Sequence, residues 1–259
     1  MATPEQPLFV DDFGSGAAVV LFHGTPTSPD DLLPLVDALR ARHRVLVPHM
    51  PGYGRTPPDG DGTSLERDVA RVEDHIAHLG IASVDAVAFS GGAYRALAMA
   101  LRRRVAVARL SLLAPVVGFD PHEAQATRDM VAAVRSGLFD PRPTWLDRMA
   151  SAGFGARNPL GAARVLSWLD AAPMSVLCNE LAAIADAPDL RPRIGELACP
   201  FFVCAGSDDR AVPVASCAAI AAASRRATFL MLDRVGHALL VEAPDSVVAG
   251  IVAFLGEAP

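Results

Sequence analysis

The sequence predicts an α/β fold: a mostly parallel sheet covered by helices on both faces. Three observations carry this. Short apolar runs alternate with amphipathic stretches over most of the chain. The apolar runs are continuous rather than alternating, as strands buried on both faces require. The length of 259 residues, 51% hydrophobic and 20% charged, suits one large domain or one domain carrying an insertion.

In chain order, Ala17–Phe22 reads as a buried strand. Ser28 with Pro29 gives an N-cap and first-turn signal, and Leu32, Leu35, Val36 and Leu39 then share one helical face. Val45–Val47 is the next strand, and Leu65, Val69, Val72, Ile76 and Leu79 form an apolar helical stripe. Val84–Phe89 is a strand running straight into Ser90-Gly91-Gly92, with a helix pattern over Ala93–Arg104 and another strand at Leu110–Ala114.

From Val117 to Ile194 the alternation stops. That stretch holds helix-like segments punctuated by Pro121, Pro141, Pro143, Pro159, Pro173 and Pro188, and it contains both tryptophans. It reads as a helical insertion (117–194) over a core made of 1–116 and 195–259. The core resumes with strands at Phe201–Ala205 and Thr228–Leu232. Pro244 opens a last helix carrying Val247, Val248, Ile251, Phe254 and Leu255.

Composition excludes several function classes. The formal net charge is −6, with no concentrated basic face to follow a phosphate backbone, so no nucleic-acid partner is expected. No apolar stretch is long enough to span a bilayer. Met1–Pro7 lacks a basic region followed by an apolar core, so a cytoplasmic protein is expected. All 23 basic residues are arginine, which removes Schiff-base, phosphate-loop and Ser-Lys chemistry. Cys178, Cys199, Cys204 and Cys217 form no Cys-x-x-Cys pair and read as buried thiols. No metal site is expected; His75 and His78, three apart on one helix, have no evident third ligand and read as a solvated pair.

The chemistry concentrates where strands end. A serine at a tight strand-to-helix turn needs small residues two before and two after it, and Ala88 and Gly92 supply them. Ser-Gly-Gly before a helix also serves as a plain turn and cap, so company decides the reading. Phe22-His23-Gly24-Thr25-Pro26 leaves an earlier strand. Asp208 and Asp209 follow the strand Phe201–Ala205, and His237 follows the last strand. A Ser, an Asp and a His, each just past a different strand, are what a nucleophile, its base and an orienting acid require.

Taken together, His23-Gly24-Thr25-Pro26, Pro51-Gly52-Tyr53-Gly54, the turn at Ser90, Gly206-x-x-Asp209-x-x-Val212-Pro213 and Gly236-His237 resemble the α/β-hydrolase superfamily over essentially the whole chain. The resemblance implies an α/β-hydrolase fold with a helical cap over 117–194. It also implies Ser90 as nucleophile, His237 as general base and Asp209, rather than Asp208, as the acid holding the imidazole. The N–H groups of Thr25 and Gly91 would form the oxyanion hole, with His23 shaping that loop. Three positions depart from the usual pattern. Ala88 replaces a glycine, and His49 stands where many relatives have Asp. Gly91 replaces a larger residue, which is expected to leave room in the acyl pocket.

The expected function is a cofactor-independent serine hydrolase. It would cleave a carboxylic ester, lactone or thioester of a small acyl substrate through an acyl-enzyme. A lyase or acyltransferase on the same fold, and a non-catalytic receptor, are the alternatives. The aromatics Trp145, Trp168, Phe139 and Phe154, with Met174, either pack the cap or line a pocket; Trp145 and Trp168 are expected beside the substrate. The oligomeric state is not legible.

Overall fold

The structure is a computed structural model describing residues 8–60 and 62–256; the stretch Met1–Pro7 weighed above lies outside the described residues. Seven strands are formed among the described residues: β1 (Val10–Gly14), β2 (Ala17–Phe22), β3 (His43–Pro48), β4 (Ser83–Phe89), β5 (Ala106–Leu113), β6 (Phe201–Gly206) and β7 (Ala227–Leu232). They make one sheet in the order β1-β3-β2-β4-β5-β6-β7. β1 runs antiparallel to β3, and every other pair is parallel. The apolar runs read from the sequence all became strands. β1 was not anticipated, and β5 begins four residues before the apolar run at Leu110.

Helices cover both faces. α1 (Leu33–Leu39) follows a short 3-10 turn, Pro29–Leu32, capped by Ser28. α2 (Leu65–His78) carries the predicted stripe, and α3 (Gly92–Arg102) leaves the end of β4, stopping where Arg103 turns left-handed at φ 57°. Alternate strand residues sort to two cores: Val20, Phe22, Ala86 and Ala88 meet Val69, Ile76, Ala96 and Leu97 on one side. Val19, Leu21, Val87 and Phe89 meet Leu35 and Val36 on the other. There they also meet Val247 and Ile251 from the last helix, Pro244–Gly256.

Between β5 and β6 no strand lies among the described residues. That stretch is α4 (Pro121–Arg135), α5 (Arg142–Met149), α6 (Phe154–Arg157), α7 (Pro159–Ser167), a 3-10 turn at Trp168–Asp170, α8 (Met174–Asp186) and a 3-10 turn at Arg191–Glu196. α4 packs along α8. After β6 come α9 (Val214–Ala222), α10 (Leu239–Glu242) and α11 (Pro244–Gly256). No helix among the described residues is long and apolar enough to cross a membrane. All four cysteines are free and buried, and burial pushes the Cys204 and Cys217 thiols up to about 12.

α8 is tied to the core by buried charge. Glu180 Oε1 lies 2.7 Å from Arg95 Nη1, and Glu180 Oε2 accepts from the Tyr53 hydroxyl at 2.7 Å. The other edge of the Arg95 guanidinium donates to Asp68 Oδ2 at 2.8 and 3.0 Å. All four side chains are essentially solvent-free. α2, α3, α8 and the loop after β3 thus meet at one arginine.

Candidate active site

Ser90 sits in the turn between β4 and α3 with φ 49°, a left-handed backbone that a side chain adopts only when its surroundings enforce it. The enforcement is visible. Ser90 N donates to Leu113 O at 2.9 Å, and Ser90 O accepts from Ala93 N and Val116 N at 3.0 and 3.1 Å. A Cβ on Gly92 would come within 2.3 Å of His23 O and 2.9 Å of Phe22 O. The backbone at the end of β2 therefore forces a glycine two residues after the serine.

Asp209 leaves β6 through Gly206, and His237 stands in the loop between β7 and α10. His237 Nε2 is 2.9 Å from Ser90 Oγ, and Nδ1 is 2.8 Å from Asp209 Oδ2. All three residues are buried. Asp209 Oδ1 accepts from Ala211 N at 2.8 Å and Val212 N at 2.7 Å, so the carboxylate cannot rotate without losing two backbone partners. Asp208 takes no part: its carboxylate accepts from Ser207 Oγ at 3.2 Å, while Arg210 turns to Asp147 O.

The imidazole loop has a further support that the sequence did not reveal. Glu242 on α10 accepts from Gly236 N at 2.9 Å, from Ser151 N at 3.1 and 3.2 Å, and from the Ser151 hydroxyl. Ala238 N also donates to Met149 O at 2.8 Å. The histidine loop is thus clamped to the end of α5. Nothing in the spacing of Glu242 marks it out beforehand.

Thr25 and Gly91, the expected oxyanion donors, lie against each other beside Ser90. The N–H groups of both are without a hydrogen-bond partner among the described residues. A Cβ on Gly91 would fall 2.4 Å from Thr25 Oγ1. The expectation that Gly91 leaves open room is therefore corrected: the Thr25 side chain occupies that space. His23 holds this loop. Its Nε2 accepts from Met50 N at 3.2 Å and its Nδ1 donates to Gly24 O at 2.9 Å, which fixes a neutral tautomer. Burial lowers the imidazole to about 4, although the hydrogen bond to Gly24 works the other way. His49 likewise has an account: its Nε2 meets Asp11 Oδ2 at 2.8 Å and its Nδ1 accepts from Arg55 N at 2.9 Å.

Above Ser90 opens a cleft of about 340 Å³, reaching Thr25, His237 and residues of α4, α5 and α8. Its walls are largely apolar, with Val116, Phe119, Met130, Phe139, Trp145, Leu177 and Leu181 among them. A shallower groove of about 580 Å³ between α4 and α8, walled by Val131, Arg135 and Asp186 among others, shares no residue with this cleft. The two tryptophans part company. Trp145 lines the cleft, its indole N–H donating to Val165 O at 3.0 Å. Trp168, expected beside the substrate, is not on the cleft wall: its N–H is held by Asp31 at 3.0 Å and its ring packs edge-on against Phe89. Phe154 packs in a small cluster of its own with Ala150 and Ala162. Met174 also lies off the cleft wall, against the core on the Trp168 side of the sheet.

The comparisons with known proteins fall in line with this geometry. The sequence model described as the alpha/beta hydrolase family matches residues 19–250. A pimeloyl-[acyl-carrier protein] methyl ester esterase of Xanthomonas campestris pv. campestris is 28% identical over 261 residues, covering 97% of this chain and all of the relative. Among solved structures, a thermophilic esterase from Thermogutta terrifontis superimposes with a TM-score of 0.87 at 25% identity, covering 96% of this chain and 93% of that one. The enol-lactonase of Burkholderia xenovorans LB400 shares the fold at a TM-score of 0.84 and 23% identity, covering 96% of each chain.

Proposed function

Since the chain belongs to the alpha/beta hydrolase family, we propose that it is a serine esterase working through a Ser90–His237–Asp209 triad and an acyl-enzyme, without a cofactor. One observation carries the reading: the unbroken hydrogen-bonded line from Ser90 Oγ through both ring nitrogens of His237 to Asp209, at the floor of an apolar cleft.

The chemistry follows from the geometry. His237 Nε2 takes the Ser90 proton as Oγ attacks the acyl carbon, and Asp209 stabilises the imidazolium and holds the tautomer that makes Nε2 the acceptor. The carbonyl oxygen takes up negative charge between the Thr25 and Gly91 N–H groups, each such donor being worth roughly 3–4 kcal/mol in the transition state. Collapse expels the alkoxide, which takes its proton from Nε2. Water, deprotonated by His237, then repeats the sequence to release the acid. The segment 117–194 is the cap whose apolar wall selects the acyl group, so medium-length or aryl acyl substrates are favoured over short charged ones. An ester is favoured over lactone and thioester by the esterase names of the relative and of the solved structure at 25% identity. A reducing, cytoplasmic setting agrees with four free cysteines.

The test is labelling with a fluorophosphonate, followed by a panel of ester, lactone, thioester and amide substrates. Wild type is expected to label and to turn over esters best, and Ser90→Ala to do neither while keeping its circular dichroism spectrum. Ester turnover that survives Ser90→Ala refutes the mechanism. Labelling without turnover of any acyl substrate turns the reading towards a receptor, lyase or transferase.

A further inference from the structure

We propose that two copies of this chain join edge to edge through β7, in antiparallel register about a two-fold axis at Phe229. The two ends of the sheet are built differently. β1 closes one end with charge: Asp12 is held by Arg44, and Asp11 by His49 and Arg55. β7 closes the other end and pairs, among the described residues, with β6 alone. It reads Ala-Thr-Phe-Leu-Met-Leu, with neither a charge nor a proline. An unguarded edge is a template for another strand, and proteins ordinarily blunt it with charge, proline or a bulge.

Backbone parity fixes what this edge offers. Arg226 O and Leu232 O accept from Phe201 N and Ser207 N at 3.1 and 2.9 Å. The even-numbered residues from Arg226 to Leu232 therefore turn their amides to β6, and Ala227, Phe229 and Met231 turn theirs outward. Side chains alternate as well: Leu230 and Leu232 pack on the core beside α11, and Ala227 on the opposite core. Phe229 and Met231, on the Ala227 side, remain 37% and 52% exposed. α9 packs on that side of β7, and its exposed residues are Ala215, Ala219 and Ala222, so it puts no long side chain in the way of a second sheet.

A second copy suits this edge because the edge is complementary to itself. With the axis at Phe229, each Phe229 amide exchanges two hydrogen bonds with its symmetry mate, and Ala227 meets Met231 of the second copy on either side. The two phenyl rings then cover each other, flanked by the Met231 thioethers. The same register lays the turn before β7 over the turn after it. Arg225, whose side chain has no hydrogen bond or ion pair among the described residues, comes opposite Asp233 of the second copy, twice. Asp233 is otherwise held only by its neighbour Arg234, and both are exposed. Moving the axis to Leu230 would set Arg226 against Arg234 of the second copy, a like-charge pair. A two-fold contact is closed, so the assembly stops at two and doubles the seven-stranded sheet.

Sedimentation equilibrium on the full chain tests this. Wild type is expected to weigh twice its 27.1 kDa at tens of micromolar. Phe229→Lys sets like charges on the axis while touching no buried side chain. It is expected to raise the dissociation constant about 100-fold or more, with an unchanged circular dichroism spectrum. Arg225→Asp and Asp233→Arg are each expected to weaken pairing about tenfold, and the double exchange to restore it to within about threefold. Phe229→Cys places a thiol opposite itself at a Cα separation of about 5.5 Å, which a disulfide spans. Copper–phenanthroline is therefore expected to link two copies, the native cysteines being buried, while Leu160→Cys, exposed on α7, serves as the collision control. A wild-type chain that stays monomeric overturns the proposal. So does a dimer that Phe229→Lys leaves intact, an assembly that grows beyond two, or Leu160→Cys linking as fast as Phe229→Cys. A double exchange no tighter than its single variants overturns the axis at Phe229. Should Phe229→Lys fail to fold, the charge exchange and the cross-link decide.

Discussion

Asp209→Asn changes one atom and, by the contacts seen here, should disable the base. Asp209 Oδ1 accepts two buried N–H groups, at 2.7 and 2.8 Å from Val212 N and Ala211 N. An asparagine must keep its carbonyl oxygen there, because turning the amide round would set its NH2 against two donors. Its NH2 then stands where Oδ2 was, 2.8 Å from His237 Nδ1. Two donors cannot share that contact, so the ring moves its proton to Nε2, the nitrogen that faces Ser90 Oγ. A protonated Nε2 cannot take the serine proton. The comparable change in a serine protease costs about 10⁴ in kcat, and at ~1.36 kcal/mol per tenfold this is about 5 kcal/mol of lost transition-state stabilisation. Asp208→Asn touches only the Ser207 hydroxyl and should cost less than about tenfold, as surface polar contacts do. The assay is kcat for both variants on a single ester, with active sites titrated and folding checked by circular dichroism. An Asp209→Asn enzyme within tenfold of wild type, or an Asp208→Asn enzyme that is the more damaged, refutes the reasoning.

The tryptophans should separate in the same way. Trp145→Ala enlarges the cleft wall and should shift relative kcat/KM towards bulkier acyl groups across an ester panel. Trp168→Ala removes a buried ring and its Asp31 bond, and should lower stability by roughly 3–5 kcal/mol in denaturant unfolding while leaving the substrate ranking unchanged. A changed ranking for Trp168→Ala contradicts this placement. His23 should make the protein acid-labile. Its folded-state value of about 4 lies below its ordinary 6.5, so the unfolded chain binds the extra proton first. Its stabilising contribution is full above pH 6.5 and is lost as the pH falls towards 4. Urea unfolding from pH 7 to pH 4 should show a steeper loss for wild type than for His23→Gln, and parallel curves rule the explanation out.

Much of this was legible beforehand because strands buried on both faces write themselves as unbroken apolar runs, and because Ser90, Asp209 and His237 each sit in a short loop just past such a run. What stayed illegible has physical causes. β1 is an edge strand containing Asp11 and Asp12, paired on one side only, and its residues are half exposed, so no apolar run marks it. The start of β5 is half exposed for the same reason. Trp145 and Trp168 sit in similar helical surroundings; which one meets the cleft depends on how the helices pack, and local spacing does not encode that. Gly91 read as a vacancy because its filler, Thr25, is distant in the chain. Glu242 clamps the histidine loop through partners as far away as Ser151.

The arginine at which α2, α3 and α8 meet limits how freely nature or an engineer can exchange parts of this molecule. Glu180 is the only acid that the helices between β5 and β6 contribute to Arg95 among the described contacts. A chimera that takes residues 117–194 from another member, and brings an apolar residue to that position, leaves a guanidinium in the dry interior with one carboxylate in place of two. Breaking such a pair from one side costs about 3–5 kcal/mol, a sizeable part of the 5–15 kcal/mol typical of a whole domain. The segment between β5 and β6 is thus no free cassette. A successful transplant would have to bring its own acid to position 180 or remove Arg95 and Asp68 together, so these helices and the sheet travel through sequence space as a matched set.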